Sequence, residues 1–434
     1  MNTYAEKLKQ SLLSLIHGME ANELKNYVRN PDTDFKRQRK FGFSAVVRFI
    51  LSMGSSTLGQ ELMNFFQFNP DFPSVSAFVQ QRQKIKPEAF EELFHRFVSI
   101  QSEVDLFEGY RLLAVDGSDV ILPLNPDEPF AFPESKCSIL HLNALFDIIN
   151  RQYLDAVIQG KRETNETDAV VTMTERLSEQ FPVIIVADRG YESYNFFAHV
   201  EERLFDYVVR VRNSKNGSMF SGLGLPEKEA FDMTKDVVIT RHSTGPYMVN
   251  KEKYKYMTKK ARFDFIPDSK HPDYEMSIRF VSFQLETGEF EILATSLPNE
   301  IFSVEQLKEI YHLRWGIETA FRSVKHITGL AAFHTKKADC AVQEIYARLI
   351  MYNFSMLIAN KVEIPEEPHH KYRYLANFAQ AIRLCMEYFR TQNNSPPLDL
   401  QALLPRFILP ERKGRTCTRN VRSQGARAFN YRLA

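Results

Sequence analysis

Val183 through Ala187 is an unbroken run of five apolar residues that closes on Asp188-Arg189-Gly190-Tyr191. A continuous apolar run of this length is the signature of a strand buried on both faces. Such a strand requires a sheet with helices packed above and below it, and the neighbouring sequence supplies both. Residues 111–115 form a short apolar strand ending in Asp116-Gly117, and residues 138–148 and 153–158 form a hairpin across Asn150-Arg151. Residues 168–180 read as an amphipathic helix behind the capping signals Thr164 and Asn165, residues 194–204 as a second helix and residues 207–211 as another strand. Strand, hairpin, helix, strand, helix, strand describes an α/β fold with a mixed sheet.

The flanks read differently. Residues 1–105 are helical, with apolar residues at helical spacing through Phe43, Val46, Val47, Ile50 and Leu51 and again through Phe90, Leu93, Phe94 and Phe97. Within this region, residues 57–66 and 76–85 form two short helices around a Pro-containing turn, with Ser74 or Ser76 capping the second. Gln80, Gln81, Arg82 and Lys84 on that second helix suit contact with phosphates and base edges, or form an ordinary solvated face. Residues 213–300 contain turn clusters and alternating strands and are expected to be a β-rich insertion. Helices resume over 301–340 and continue into a C-terminal region, 341–434, that ends in a basic tail. The expected division is therefore 1–105, 106–212, 213–300, 301–340 and 341–434.

Net charge is only +1, but it is segregated. Residues 29–48 carry six basic and two acidic residues, net +4; residues 406–434 carry eight basic residues against Glu411, net +7; the remainder therefore sums to −10. Basic flanks on an acidic body suit a protein that grips phosphate at its ends and keeps carboxylates at its centre. The four cysteines, Cys137, Cys340, Cys385 and Cys417, show no metal-ligand spacing and read as free thiols of a reducing compartment. The longest apolar stretch, 349–358, is too short to span a bilayer, and no signal segment opens the chain, so a cytoplasmic protein without membrane partners is expected.

Asp116 and Asp188 each end a strand and each have a glycine within two residues. Carboxylates at the carboxyl ends of neighbouring strands would face one crevice. With no His or Cys nearby in sequence, such hard oxygen donors favour Mg²⁺ or Mn²⁺ over zinc. An Asp at a strand end is also a common turn former. A helix over 303–327 adds to the case. At about 100° per residue, with Tyr311 at 0°, Arg314 falls near 300°, Glu318 near 340° and Lys325 near 320°. Four groups able to bind phosphate or metal thus share one stripe, while Ile310, Leu313, Ile317 and Phe321 supply a separate apolar side. Lys325 lies about 10 Å along the axis from Glu318, too far to share its metal but within reach of a phosphate.

Tyr311-His-Leu-Arg314-Trp315-Gly-Ile-Glu318 followed by Lys325 resembles the Y-x2-R-x3-E-x6-K signature of a bacterial insertion-sequence transposase family, family four of that classification. Asp116-Gly117 and Asp188-Arg189-Gly190-Tyr191 resemble the runs around its first two catalytic aspartates. The resemblance covers residues 110–337. It implies a ribonuclease-H-like core with a β-rich domain inserted before the glutamate-bearing helix, and a DDE triad of Asp116, Asp188 and Glu318. It further implies two metal ions, with Asp116 bridging both and Asp188 and Glu318 each completing one site. Tyr311, Arg314 and Lys325 would hold phosphates near the transposon end. The implied partners are terminal inverted repeats, target DNA and a second copy of the chain in the DNA complex. Two other readings keep the fold: a nuclease that never joins DNA, and a domesticated DNA-binding protein without catalysis.

Asp119, three residues after Asp116, is a rival first ligand, although the family places its aspartate directly before the glycine. Trp315 either stacks on an extruded base or belongs to the core. Arg189, Arg322, His334 and Lys336 are further candidates for DNA contact, each also readable as part of a solvated charged surface.

Overall fold

The computed structural model describes residues 1–410 except 38–39, 102, 213–218, 220, 269, 365–371, 373 and 392–397. The N-terminal region is helical as expected: α1 (Asn2–Tyr27), α2 (Phe43–Ser52), α3 (Leu58–Phe65), α4 (Val75–Arg82) and α5 (Glu88–Ser99). Thr57 caps α3, and Ser74, not Ser76, caps α4 by accepting from the Ala77 N–H.

The central sheet begins with β1 (Arg111–Pro123), β2 (Ala131–Phe132), β3 (Cys137–Asp147) and β4 (Gln152–Gly160). The β3–β4 hairpin turns at the expected position, where Arg151 takes a positive φ of 55°. Then come α6 (Glu166–Arg176), β5 (Val183–Ala187), α7 (Tyr194–Glu202) and β6 (Asp206–Val211). Asn165 caps α6 and Ser193 caps α7. All five residues of β5 are buried, as an apolar strand covered on both faces must be.

Residues 213–300 are β-rich, with β7 (Phe231–Thr240), a short α8 (Pro246–Val249), β8 (Tyr254–Tyr256), β9 (Tyr274–Gln284) and β10 (Phe290–Thr295). These strands do not form a sheet of their own. β10 pairs antiparallel with β6, so the mixed sheet runs β2-β3-β1-β5-β6-β10-β9-β7-β8, with β4 also on β3. Beyond it lie α9 (Val304–Leu313), α10 (Trp315–His326), α11 (Ala338–Ala359), β11 (Tyr374–Ala376), α12 (Phe378–Arg390), α13 (Leu400–Leu403) and β12 (Ile408–Pro410).

Alternation along the strands divides the core in two. Leu112, Ala114, Ile184 and Val186 join the apolar cluster beneath α10 and α11, while Leu113, Val115, Ile185 and Ala187 join the cluster beneath α6 and α7. The apolar stretch 349–358 lies in α11, a helix buried around almost its whole circumference. Among the described residues no helix is long and apolar enough to cross a membrane. Cys137, Cys340 and Cys385 are buried free thiols, and Cys417 falls outside the described residues, as does the basic tail beyond residue 410.

The helix α4 corrects one expectation. Gln81 and Arg82 are buried, not presented for nucleic acid. Arg82 pairs with Glu344 of α11 at 2.8 Å and donates to Gln343 at 2.9 Å. Within the basic segment 29–48, Arg29 pairs with Asp339 and Lys40 with Asp71, whereas Lys36 and Arg37 are exposed.

Candidate active site

β1 and β5 are parallel neighbours whose last register pair is Val115 with Ala187. The next residue on each strand is an aspartate, so Asp116 and Asp188 stand side by side where the parallel ladder stops. Asp116 does not end its strand, as the sequence suggested. β1 continues to Pro123 because β3 pairs with it antiparallel along its far edge, Asp116 lying opposite Ala144. Alternation puts Asp116 and Asp188 on the face shared with α10. Each carboxylate is held by a glycine N–H: Gly117 donates to Asp116 Oδ1 at 2.8 Å, and Gly190 to Asp188 Oδ1 at 2.6 Å.

Ser303 and Gln306 form a capping box that starts α9. One helix was expected over 303–327; two are found, end to end, with the turn tightened at Arg314. There the Arg314 N–H donates to Tyr311 O and the Ile317 N–H to Arg314 O, both three residues back. The buried Arg314 guanidinium lies 3.1 Å from Glu318 Oε1 and 3.6 Å from Asp116 Oδ2. Burial pushes the Asp116 carboxyl up, Arg314 pulls it down, and the negative charges of Asp188 and Glu318 push it up again, for a net value of about 6. Asp188 acts on Arg314 as well. Arg314 thus lies between Asp116 and Glu318, with Asp188 close enough for its charge to act on both Asp116 and Arg314. Among the described residues no three His, Cys, Asp or Glu side chains converge closely enough to hold a metal ion as they stand; Arg314 is seated among the carboxylates. As a donor set the three carboxylates, all hard oxygen and partly desolvated, suit a divalent cation.

Lys325 does not project freely. Its ammonium donates to Ser118 Oγ at 2.8 Å and to Asp119 O at 2.6 Å, tying α10 to β1. Asp119 is not brought to the cluster. Three residues from Asp116, it points to the opposite face, where its Oδ1 lies 2.7 Å from both His141 Nδ1 and Lys161 Nζ. Burial would raise its carboxyl, but these two partners bring it to about 2. His141 Nε2 in turn lies 3.0 Å from Glu166 Oε1, an ion-pair contact without the alignment of a good hydrogen bond. Neither His141 nor Glu166 was singled out from the sequence. The available signals were a histidine flanked by leucines in a strand and an acidic residue directly after a helix cap.

The residues expected to touch DNA divide into three groups. Arg189, Arg322 and Lys336 are exposed. Trp315 is 45% exposed, which removes the core reading. It stacks near Arg314, at 5.5 Å, and lines a 390 Å³ groove with His312, Arg151 and Phe378. Tyr311 is buried, its ring 5.7 Å from the Arg314 guanidinium. His334 is a correction: its side chain is fully buried, 3.3 Å from Glu344 Oε2, with Nε2 3.0 Å from Ser56 O. Those contacts take up both ring nitrogens.

The chain is similar to known proteins. Over 66 residues it is 39% identical to the putative transposase InsL of insertion sequence element IS186A from Escherichia coli (strain K12), and equally so to the transposase of insertion sequence element IS421 from Escherichia coli. The match covers 15% of this chain and only 18% of the length of these relatives. The cryo-EM structure of a piggyBac transposase synaptic complex with hairpin DNA aligns with 94% of this chain and 87% of its own, at TM-score 0.49 and 13% identity, too loosely to transfer residue roles. The model of the transposase DDE domain matches residues 108–354, more than half of the 434 residues and the whole stretch from β1 to the middle of α11, and the chain therefore belongs to the transposase DDE domain family.

Proposed function

We propose that this protein is a DNA transposase that cuts and joins the ends of its own insertion sequence, on a ribonuclease-H-like core of the family-four type. The observation that carries the reading is the placement of Asp116 beside Asp188 where β1 and β5 part, with Arg314 linking Asp116 to Glu318 on α10. The order of β4, β3, β1, β5 and β6 in the sheet, with α6 and α7 as the crossings, supports the core assignment. Asp116, Asp188 and Glu318 would hold two Mg²⁺ or Mn²⁺ ions. When bound, such ions supply a nucleophile at neutral pH and stabilise the leaving oxygen.

The chain's own residues do the rest. Gly117 and Gly190 orient the aspartates through their N–H groups, and Arg314 balances the cluster before it is loaded. Lys325 holds α10 against β1 and retains one N–H for a phosphate, since an ammonium has three donors. Exposed Arg189, Arg322, Lys336 and Trp315 would contact the DNA backbone and an end base, with two copies of the chain pairing the two ends. Cleavage and joining are the same in-line displacement with different nucleophiles, so one site serves both. The expected location is the bacterial cytoplasm, on DNA.

The test is incubation of the purified protein with Mg²⁺, labelled DNA carrying the repeats that flank the coding region, and a target plasmid. Joined products are expected. Asp116→Asn, Asp188→Asn and Glu318→Gln should each abolish cleavage while sparing DNA binding. Hydrolysed ends without joined product would leave a nuclease in place of a transposase.

A further inference from the structure

The β1–β5 ladder ends at Val115 and Ala187, so Asp116 and Asp188 lie one step beyond the paired stretch. A single carboxylate reaches both from the α6 face of the sheet. A Cβ on Gly117 would lie 3.0 Å from Glu166 Oε1, and a Cβ on Gly190 would lie 3.4 Å from Glu166 Oε2. One oxygen of Glu166 therefore packs beneath the glycine that holds Asp116, and the other beneath the glycine that holds Asp188.

Glu166 is itself fixed. It is the first residue of α6, behind the Asn165 cap, and His141 Nε2 sits 3.0 Å from its Oε1. His141 is 3% exposed and faces its cross-strand partner Asp119. Asp119 is in turn gripped by Lys161. The chain Lys161–Asp119–His141–Glu166 spans β1, β3 and α6. Beside it the Tyr191 hydroxyl is buried and has no hydrogen-bond partner among the described residues; burial first, then Asp116, Glu166 and Asp188, keep it protonated.

We propose that Glu166, oriented by His141, is a positioning residue that sets the spacing of Asp116 and Asp188 and thereby pre-organises the metal-binding carboxylates. This rests on the metal-binding role proposed above for the aspartates. A purely structural Glu166 would stabilise α6 and nothing else. Its side chain is 36% exposed, so its loss should cost little stability. Groups that orient metal ligands without touching the metal typically change metal affinity by about 10–100-fold.

The experiment is calorimetric titration of Mn²⁺ into the full-length protein without DNA, for the wild type, Asp116→Asn, Glu166→Gln and Glu166→Asp. Glu166→Asp shortens the side chain by one carbon and withdraws the carboxylate from both glycines without changing any charge. We expect Mn²⁺ binding in the wild type, its loss in Asp116→Asn, and about tenfold weaker binding in both other variants at unchanged thermal midpoint. Wild-type affinity in Glu166→Asp would overturn positioning, and a loss confined to Glu166→Gln would reduce Glu166 to a distant charge. Should Glu166→Gln fail to fold, Glu166→Asp decides alone. No Mn²⁺ binding by the wild type, with Asp116→Asn identical to it, would instead overturn the metal reading of the aspartates.

Discussion

Replacing Arg82 with Met separates two roles for α4, reading DNA and holding the core. Arg82 and Glu344 are 3% and 2% exposed and 2.8 Å apart. At an effective dielectric constant of about 20, two unit charges at that separation attract by roughly 6 kcal/mol. Desolvation of both groups consumes much of that gain. Removing one partner nevertheless strands the other, which typically costs about 3–5 kcal/mol. Glu344 also accepts from the His334 backbone N–H at 3.3 Å and feels the Arg348 charge, so Arg82→Met leaves it partly compensated and should fall near the lower figure, about 3 kcal/mol. Glu344→Gln should cost about as much, by leaving Arg82 without its counter-ion. Because the two singles break the same contact, the double variant should be more stable than their sum by at least about 2 kcal/mol. Urea unfolding followed by circular dichroism measures all three, and DNA affinity is measured under conditions where each variant remains folded. Wild-type stability in Arg82→Met, together with lost DNA binding, would refute the buried assignment and restore α4 as a recognition helix.

Two further outcomes are expected. Burial raises the Glu201 carboxyl to about 7, against an ordinary value near 4.5, with only the Tyr207 hydroxyl opposing it. The folded protein therefore keeps a proton that the unfolded chain gives up, and this stability is fully present below about pH 4.5 and lost as pH rises through 7. After allowance for solvent screening the loss is ~2 kcal/mol, so Glu201→Gln should be more stable than the wild type at pH 8 and no more stable at pH 4.5 in urea titrations. For Lys325→Met, DNA affinity against salt should show a log–log slope smaller by about 0.9 if the third ammonium donor meets a phosphate; an unchanged slope with reduced stability would leave Lys325 only the strut between α10 and β1.

What the sequence makes visible depends on whether a residue's partners lie on its own element. The alignment of Glu318 with Arg314 was legible because they are one turn apart, and the helical repeat that aligns them also makes the 3.1 Å contact. β5 was legible because burial on both faces demands an apolar residue at every position. The placement of Asp116 at a strand end was only partly right. Gly117-Ser118-Asp119 looks like a turn, and no window along the chain contains β3, the partner that carries β1 on to Pro123. The same non-local pairing decides Asp119: once the strand continues, three residues of alternation send it to the other face, to His141 and Lys161, and the choice between the two aspartates becomes geometric. Arg82 fails in the opposite direction. A polar stripe on a short helix is ambiguous until its neighbour is known, and that neighbour, Glu344, is 262 residues away. Glu166 is the extreme case, since beside Asn165 it is an ordinary first-turn acid and gains significance only from two glycines brought together by the β1–β5 register. Periodicity therefore locates residues that act from one helix or strand. The groups that hold several elements in register around them, having no periodic signature of their own, are the ones that mutagenesis guided by sequence would pass over.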